Sequence, residues 1–351
     1  MFVSCDSRTQ ISLRCQRDRV IGTLSTQQST RRAFLRNLGI GATCALTTPL
    51  LACAAQENKA LPVWLGMNQK ELDDAYSQFI YAPNIAQVID RWGSNSDLVR
   101  ARIGDPLKFP YGPAVVESLD VYPTTKNNAP VHVFIHGGAW HQGTAESYGF
   151  PAELFVDSGV HYVVPDFSWI QDVGGSLYPI ADQLRRAIAW IYRNAGEFGG
   201  DSDQIYVSGH SSGGHLAAVM LTTNWMEKAD LPADLIKGGL CCSGMFDMKP
   251  VRLSSRGNYV NFTDDMEHDM SPLHHIENLH APLIVAYGSY ETPEFKRQSI
   301  EFSEAAAEAG KPVDLIVAEN YNHFEIIETL ANPNGVLGHA VLKQMADAGT
   351  D

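Results

Sequence analysis

From residue 111 onward the sequence predicts an α/β domain, with a mostly parallel central sheet flanked by helices. Three observations carry that expectation. Short β-branched runs recur along the chain, amphipathic helical stretches separate them, and a glycine-rich turn joins one run to the next helix. The strand-like runs lie at residues 115–122, 131–135, 161–167, 204–208, 239–243, 283–287 and 313–318. Between them, Ile180, Leu184, Ile188 and Ile191 repeat at spacings of four and three, which puts one apolar stripe on a helix face. Leu216, Val219 and Met220 do the same after the glycine-rich turn. Strand, crossover helix, strand is the connection that builds a parallel sheet, here with antiparallel strands at its start.

The region ahead of this domain, residues 54–110, reads as a short extension of helices and loops. Residues 71–80 form a candidate helix there, and residues 92–97 a polar break. No internal repeat or low-complexity tract interrupts the chain.

Residues 1–53 have a different composition. They hold seven arginines, no lysine, and only Asp6 and Asp18 as acids. Arg31-Arg32 precede a moderately apolar run, 38–52, that contains Gly39, Gly41, Thr43, Thr47, Thr48 and Pro49. That run is too short and polar for a spanning helix, which needs roughly 20 apolar residues. The combination resembles a twin-arginine export signal, and implies the twin-arginine machinery as a partner and a periplasmic or secreted location. Ala52-Cys53-Ala54 suits cleavage after small residues, whereas Leu50-Leu51-Ala52-Cys53 resembles a lipoprotein box that would put a lipid anchor on Cys53. The stretch ahead of Arg31 is long for such a signal, which points to a start codon downstream of Met1.

Charge and cysteine usage narrow the function classes. The formal net charge is -14, and beyond Cys53 the chain keeps 19 basic against 38 acidic residues. Such a body repels phosphate backbones and gives no steering toward anions, so nucleic acid is excluded as a partner. Cys5, Cys15 and Cys44 leave with the signal. The adjacent Cys241-Cys242 lie in an apolar run and read as small buried hydrophobes. There is no CxxC and no disulfide framework. His268, His274, His275 and His280 gather near Asp269 without the spacing of any metal motif, so neither metal nor cofactor is expected.

The chemistry is carried by four stretches. Gly209-His210-Ser211-Ser212-Gly213 follows a strand-like run and opens a helix. This is G-x-S-x-G in the context that makes Ser211 a nucleophile on a strained turn, as in the α/β-hydrolase fold. His136-Gly137-Gly138-Ala139-Trp140 ends the run at 131–135. Acyl transfer needs fixed N–H donors where negative charge develops, and Gly137 or Gly138 with the amide of Ser212 would supply them. A serine hydroxyl also needs a base, and the chain order serine, acid, histidine places that base at His323, after the last strand. The acid should follow the run at 283–287. Glu291 lies closest to its end, with Glu294 as a second choice and Asp247, after the preceding strand, as a third. A hydrolase-fold binding module without activity usually lacks one of these groups, and here all are present.

The residues also resemble a known family, the kynurenine formamidases (arylformamidases), across most of residues 70–345. The resemblance rests on HGGAW at 136–140, GHSSGGHLAAVML at 209–221 with His215, SGMFD at 243–247 and Ser271-Pro272. It also rests on ETPEFKRQS at 291–299 and HFEI at 323–326. It implies a triad of Ser211, His323 and Glu291, and hydrolysis of a small aryl formamide such as N-formylkynurenine without a metal. An exported carboxylesterase for small aryl or short-chain esters would use the same groups, because specificity lies in pocket shape. Trp140, Trp169 and Phe324 are candidate walls of an aromatic pocket.

Overall fold

The computed structural model describes residues 61–348, all within one compact unit spanning 58–351. The export motif, the lipobox and Cys53 lie outside the described residues. In chain order the elements are α1 (Gln69–Ala75), α2 (Ile85–Ile103), β1 (Leu107–Pro110), β2 (Ser118–Tyr122) and β3 (Ala129–Ile135). Next come α3 (Ala152–Asp157), β4 (His161–Pro165), α4 (Leu177–Asn194), β5 (Gly200–His210), α5 (Ser212–Leu221), α6 (Trp225–Ala229) and β6 (Ile236–Cys242). The chain ends with α7 (Met248–Leu253), α8 (Asp264–Asp269), β7 (Leu283–Gly288), α9 (Pro293–Glu308), β8 (Val313–Ala318) and α10 (Val336–Ala348).

The strands form one sheet in the order β1-β2-β4-β3-β5-β6-β7-β8. β2 runs antiparallel to both its neighbours, and every pairing from β4 to β8 is parallel. This is the α/β-hydrolase fold. The central strands are buried on both faces, as a helix-covered parallel sheet requires. Helix α4 starts at Ser176, whose side chain accepts from the Tyr178 amide, and buries Ile180, Leu184, Ile188 and Ile191 together. Cys241 and Cys242 are free and buried in β6.

Two stretches of the extension differ from their sequence reading. Residues 92–97 are not a break but the middle of α2. Trp92, Ser96 and Val99 are buried on one face, while Ser94, Asn95 and Asp97 are exposed. The Ser96 hydroxyl donates to the Trp92 carbonyl at 2.7 Å, so packing of one face overrides the weak helix propensity of the other. Residues 107–110 form the edge strand β1, too short and too exposed to show alternation. The candidate helix at 71–80 divides into α1, begun by a reciprocal Asn68/Glu71 capping box, and a 3₁₀ turn at Gln78–Ile80.

Candidate active site

Strands β3, β5, β6 and β7 end nearly flush, so the segments that leave them meet along one edge. Ile135 pairs with Gly209, and His210 with Cys242. Ser211 follows β5 at φ 59° and ψ −125°, a strained conformation for a serine. Its amide donates to the Cys242 carbonyl at 2.9 Å, which pins the turn to the next strand. Only glycine fits beside it. A Cβ on Gly209 would lie 2.1 Å from the Gly213 carbonyl oxygen, and one on Gly213 would lie 2.1 Å from that of Ile135.

His323 and Glu291 reach this turn from the last two strand ends. Gly288 and Ala318 are register partners, and the Tyr290 amide donates to the Tyr321 carbonyl at 3.1 Å, laying the acid loop along the histidine loop. His323 Nε2 lies 2.9 Å from Ser211 Oγ, and its Nδ1 lies 2.8 Å from Glu291 Oε2. With Nδ1–H donating to the carboxylate, Nε2 accepts from the serine. Glu291 is fully buried, and its other oxygen accepts from the Ser243 hydroxyl at 2.6 Å and the Gly288 amide at 2.7 Å. Those donors offset the cost of burying a carboxylate and fix its direction.

The two other carboxylates are engaged elsewhere. Glu294 starts α9, pairs with Arg297 at 2.7 Å and accepts from the Tyr76 hydroxyl at 3.1 Å. Asp247 caps α7 through the Lys249 amide at 2.9 Å. Neither meets His323.

The HGGAW segment leaves β3 beside the nucleophile turn. Gly137 permits close approach: a Cβ there would lie 2.8 Å from the His210 carbonyl oxygen and 3.2 Å from Ser211 Cβ. Gly138, at φ 119°, and Ala139, at φ 53°, line the cavity above Ser211. Ser212 opens α5, where the first amides have no intrahelical partner, and its hydroxyl accepts from the Trp140 amide at 3.3 Å. Of the two glycines expected to act with Ser212, Gly138 lines the cavity and Gly137 packs against the nucleophile turn.

Neighbouring histidines serve as scaffold. His136 Nδ1 lies 2.9 Å from the Gly137 carbonyl, and its ring stacks on Phe167. His210 donates Nε2–H to the His323 carbonyl at 2.7 Å. Burial, the neighbouring His323 charge and this hydrogen bond act on it, and burial dominates, holding it neutral. His215 donates to the Met270 carbonyl at 2.8 Å and accepts from Trp140 Nε1 at 3.3 Å, and burial lowers its pKa to about 4.

Ser211 and His323 lie at the base of a cavity of about 570 Å³. Phe324 lines it, as expected from sequence, but Trp140 and Trp169 do not. Trp140 is 1% exposed and packs on His215, and Trp169 is held by the Gly143 carbonyl at 2.9 Å. The aromatic wall comes instead from Trp92, Tyr76, Phe79, Tyr148 and Tyr259. Trp92 touches Tyr148, Phe150, His210 and Phe324 at ring-centroid distances of 5.5–6.4 Å. Nothing in the local sequence marks Trp92 as a wall, since the helix that presents it is the one whose middle reads as polar.

Away from this cavity, His268, Asp269 and His275 bring ligand-type atoms within 4.8 Å of one another. Asp269 there accepts from the Tyr178 hydroxyl at 2.9 Å, and His275 Nε2 lies 3.2 Å from the His268 carbonyl.

The chain is similar to the kynurenine formamidase of Danio rerio, at 28% identity over 80% of this chain and 98% of that one. It is also 28% identical to Esterase LipC of Mycobacterium tuberculosis over 51% of this chain and 49% of that protein. Among solved structures, a putative thioesterase from Silicibacter sp. TM1040 superposes with a TM-score of 0.69 at 25% identity, covering 79% of this chain and 99% of its own. The protein is thus a formamidase-like hydrolase of the α/β-hydrolase type. The BD-FAE family model matches residues 119–305, more than half of the sequence, and the chain belongs to that family.

Proposed function

We propose that the protein hydrolyses a small aryl formamide, of the N-formylkynurenine type, through a formyl-enzyme on Ser211. The observation that carries this reading is the unbroken chain Ser211–His323–Glu291, at 2.9 Å and 2.8 Å, at the base of an aromatic-walled cavity. His323 takes the serine proton as Oγ attacks the formyl carbon. The amides of Gly138, Ala139 and Ser212 receive the oxyanion. His323 then gives its proton to the departing arylamine, and water repeats the sequence to release formate and restore the serine. Glu291 keeps Nε2 facing the serine and stabilises the imidazolium.

Relatedness to a formamidase over 80% of the chain favours the formamide. A second reading, cleavage of small aryl or short-chain esters, is favoured by relatedness to Esterase LipC. A panel that pairs N-formylkynurenine with a chain-length series of aryl esters separates the two. Formamide turnover at or above that of the esters is expected, and activity confined to esters would remove the formamidase reading.

We also propose export through Arg31-Arg32. Their joint replacement by lysine should leave the protein in the cytoplasm, and unchanged export would count against the twin-arginine signal.

A further inference from the structure

A second cavity, of about 550 Å³, shares no lining residue with the catalytic one. Tyr178 of α4 lines it, together with Asp269 from the end of α8 and His275 from the turn that follows. Its charged wall residues are Asp182, Glu227, Asp269 and Glu277 against Arg185 and Lys228. Arg185 is paired with Asp182 at 2.8 Å and Lys228 with Glu227 at 3.4 Å, which leaves the wall negative. On a chain that is itself acidic, such a wall draws cations and turns anions away.

His268, Asp269 and His275 meet at this wall, each with a ligand-type atom within 4.8 Å of the other two. Their spacing matches no metal motif because a fold-back makes the group: the 3₁₀ turn Pro272–His274 returns His275 to the end of α8. That fold-back is held from several sides. The Ser271 amide donates to the His268 carbonyl at 3.1 Å, and the Ser271 hydroxyl donates to the Glu267 carbonyl at 2.6 Å. From the core, His215 holds the Met270 carbonyl at 2.8 Å. The Tyr178 hydroxyl donates to Asp269 Oδ2 at 2.9 Å and so orients the carboxylate from another helix, as outer partners of metal ligands do. Asp269 Oδ1 lies 3.4 Å from His268 Nδ1, long for a hydrogen bond. It is close to the roughly 3.3 Å that separates two donors on a tetrahedral zinc ion. His268 and Asp269 are exposed and His275 is half-buried, so a hydrated ion has an open path to them.

We propose that His268, Asp269 and His275 form a binding site for a divalent transition metal of the zinc class, apart from the catalytic cavity. Two imidazoles and one carboxylate suit zinc, copper or nickel, whereas magnesium and calcium favour oxygen ligands alone. Three protein ligands leave a further position for water. Binding joins the end of α8 to the 3₁₀ turn directly and to α4 through Tyr178, so the ion stabilises the folded chain.

The test uses the purified full chain without a histidine tag, stripped with a chelator and dialysed against micromolar Zn²⁺. Metal content by mass spectrometry should exceed that of a His268→Ala, His275→Ala double variant by one ion per chain. Zn²⁺ should raise the Tm of wild type and leave that of the double variant in place, and equal Mg²⁺ should raise neither. Tyr178→Phe should weaken Zn²⁺ binding about 10- to 100-fold by freeing the carboxylate. Asp269→Asn should weaken it further, while His280→Ala, an exposed histidine outside the trio, should leave it unchanged. Co²⁺ in place of Zn²⁺ should give ligand-field absorption without a thiolate charge-transfer band. Equal metal uptake by wild type and the double variant, or a thiolate band lost from neither, would place the ion on cysteines or scattered histidines and overturn the site. Should the double variant fail to fold, the isosteric Asp269→Asn decides in its place, and unchanged affinity there refutes the site.

Discussion

The floor and the roof of the catalytic cavity are built on different principles. The floor is the edge of a parallel sheet, where β3, β5, β6, β7 and β8 end side by side and deliver Ser211, Glu291 and His323. Almost every polar atom there is held by a named partner. The roof is assembled from α2, the 3₁₀ turn at Gln78–Ile80 and the turn at Ser255–Asn258, with long side chains on short elements. A floor fixed to a fraction of an ångström suits bond making, while a roof of side chains on irregular backbone suits choice of substrate.

The largest expected effect breaks the floor. Ser211→Ala should lower kcat about 10⁵- to 10⁶-fold on any substrate cleaved, and residual turnover above a hundredth of wild type would place the nucleophile elsewhere. Glu291→Gln keeps the shape but loses the charge that orients the imidazole, so kcat should fall about 10⁴-fold. Glu294→Gln, three residues on, should leave kcat within about twofold and cost about 1–3 kcal/mol in urea unfolding, because its work is to hold Arg297 and Tyr76. A reversal of that pair would exchange the acid assignment.

A smaller effect comes from Gly137→Ala. The new Cβ would press on the His210 carbonyl and displace the nucleophile turn, so kcat should drop about 100-fold with the protein still folded. Rates unchanged within about twofold would mean that the turn yields freely.

The gentlest probe is pH. Burial lowers the pKa of His132 to about 3 and of His215 to about 4, and holds that of His210 well below its ordinary value. The unfolded chain binds those protons near pH 6.5 while the folded chain does not. Stability from these three groups is therefore complete above pH 6.5 and is lost as the pH falls toward their folded values. The slope should approach three protons, roughly 4 kcal/mol per pH unit, between about pH 6 and 4.5. Urea midpoints across that range measure it, and His132→Phe should flatten the slope by about one proton.

The same division governs how much could be read from the sequence. Ser211, His323 and Glu291 follow strands and obey a chain order set by topology, so local motifs locate them. The strand 313–318 coincides with β8, and β5 extends past the apolar stretch at both ends, whereas β2 begins only at Ser118 and β4 ends at Pro165, short of the runs read as strand. The roof offers no such rule. Trp92 sits in a helix whose exposed face reads as a break, and Arg256 and Gln78 lie in turns whose meeting depends on contacts more than 170 residues apart in the chain. Trp140 and Trp169 follow strands β3 and β4, which suggests pocket walls, but their indole nitrogens are drawn to His215 and the Gly143 carbonyl.

The Tyr76 hydroxyl accepts from Gln298 Nε2 at 2.5 Å while donating to Glu294, and Gln298 Oε1 in turn accepts from the Asp247 amide at 2.9 Å. Through Gln298 and Glu294, helix α9 thereby grips the segment that carries Tyr76 into the cavity wall, while Phe295 of the same helix packs on the His323 ring at 5.0 Å. Anyone wishing to broaden what this catalyst accepts could loosen that grip at Gln298, whose own partners are Tyr76, Phe246 and Asp247, and retune selectivity from a distance.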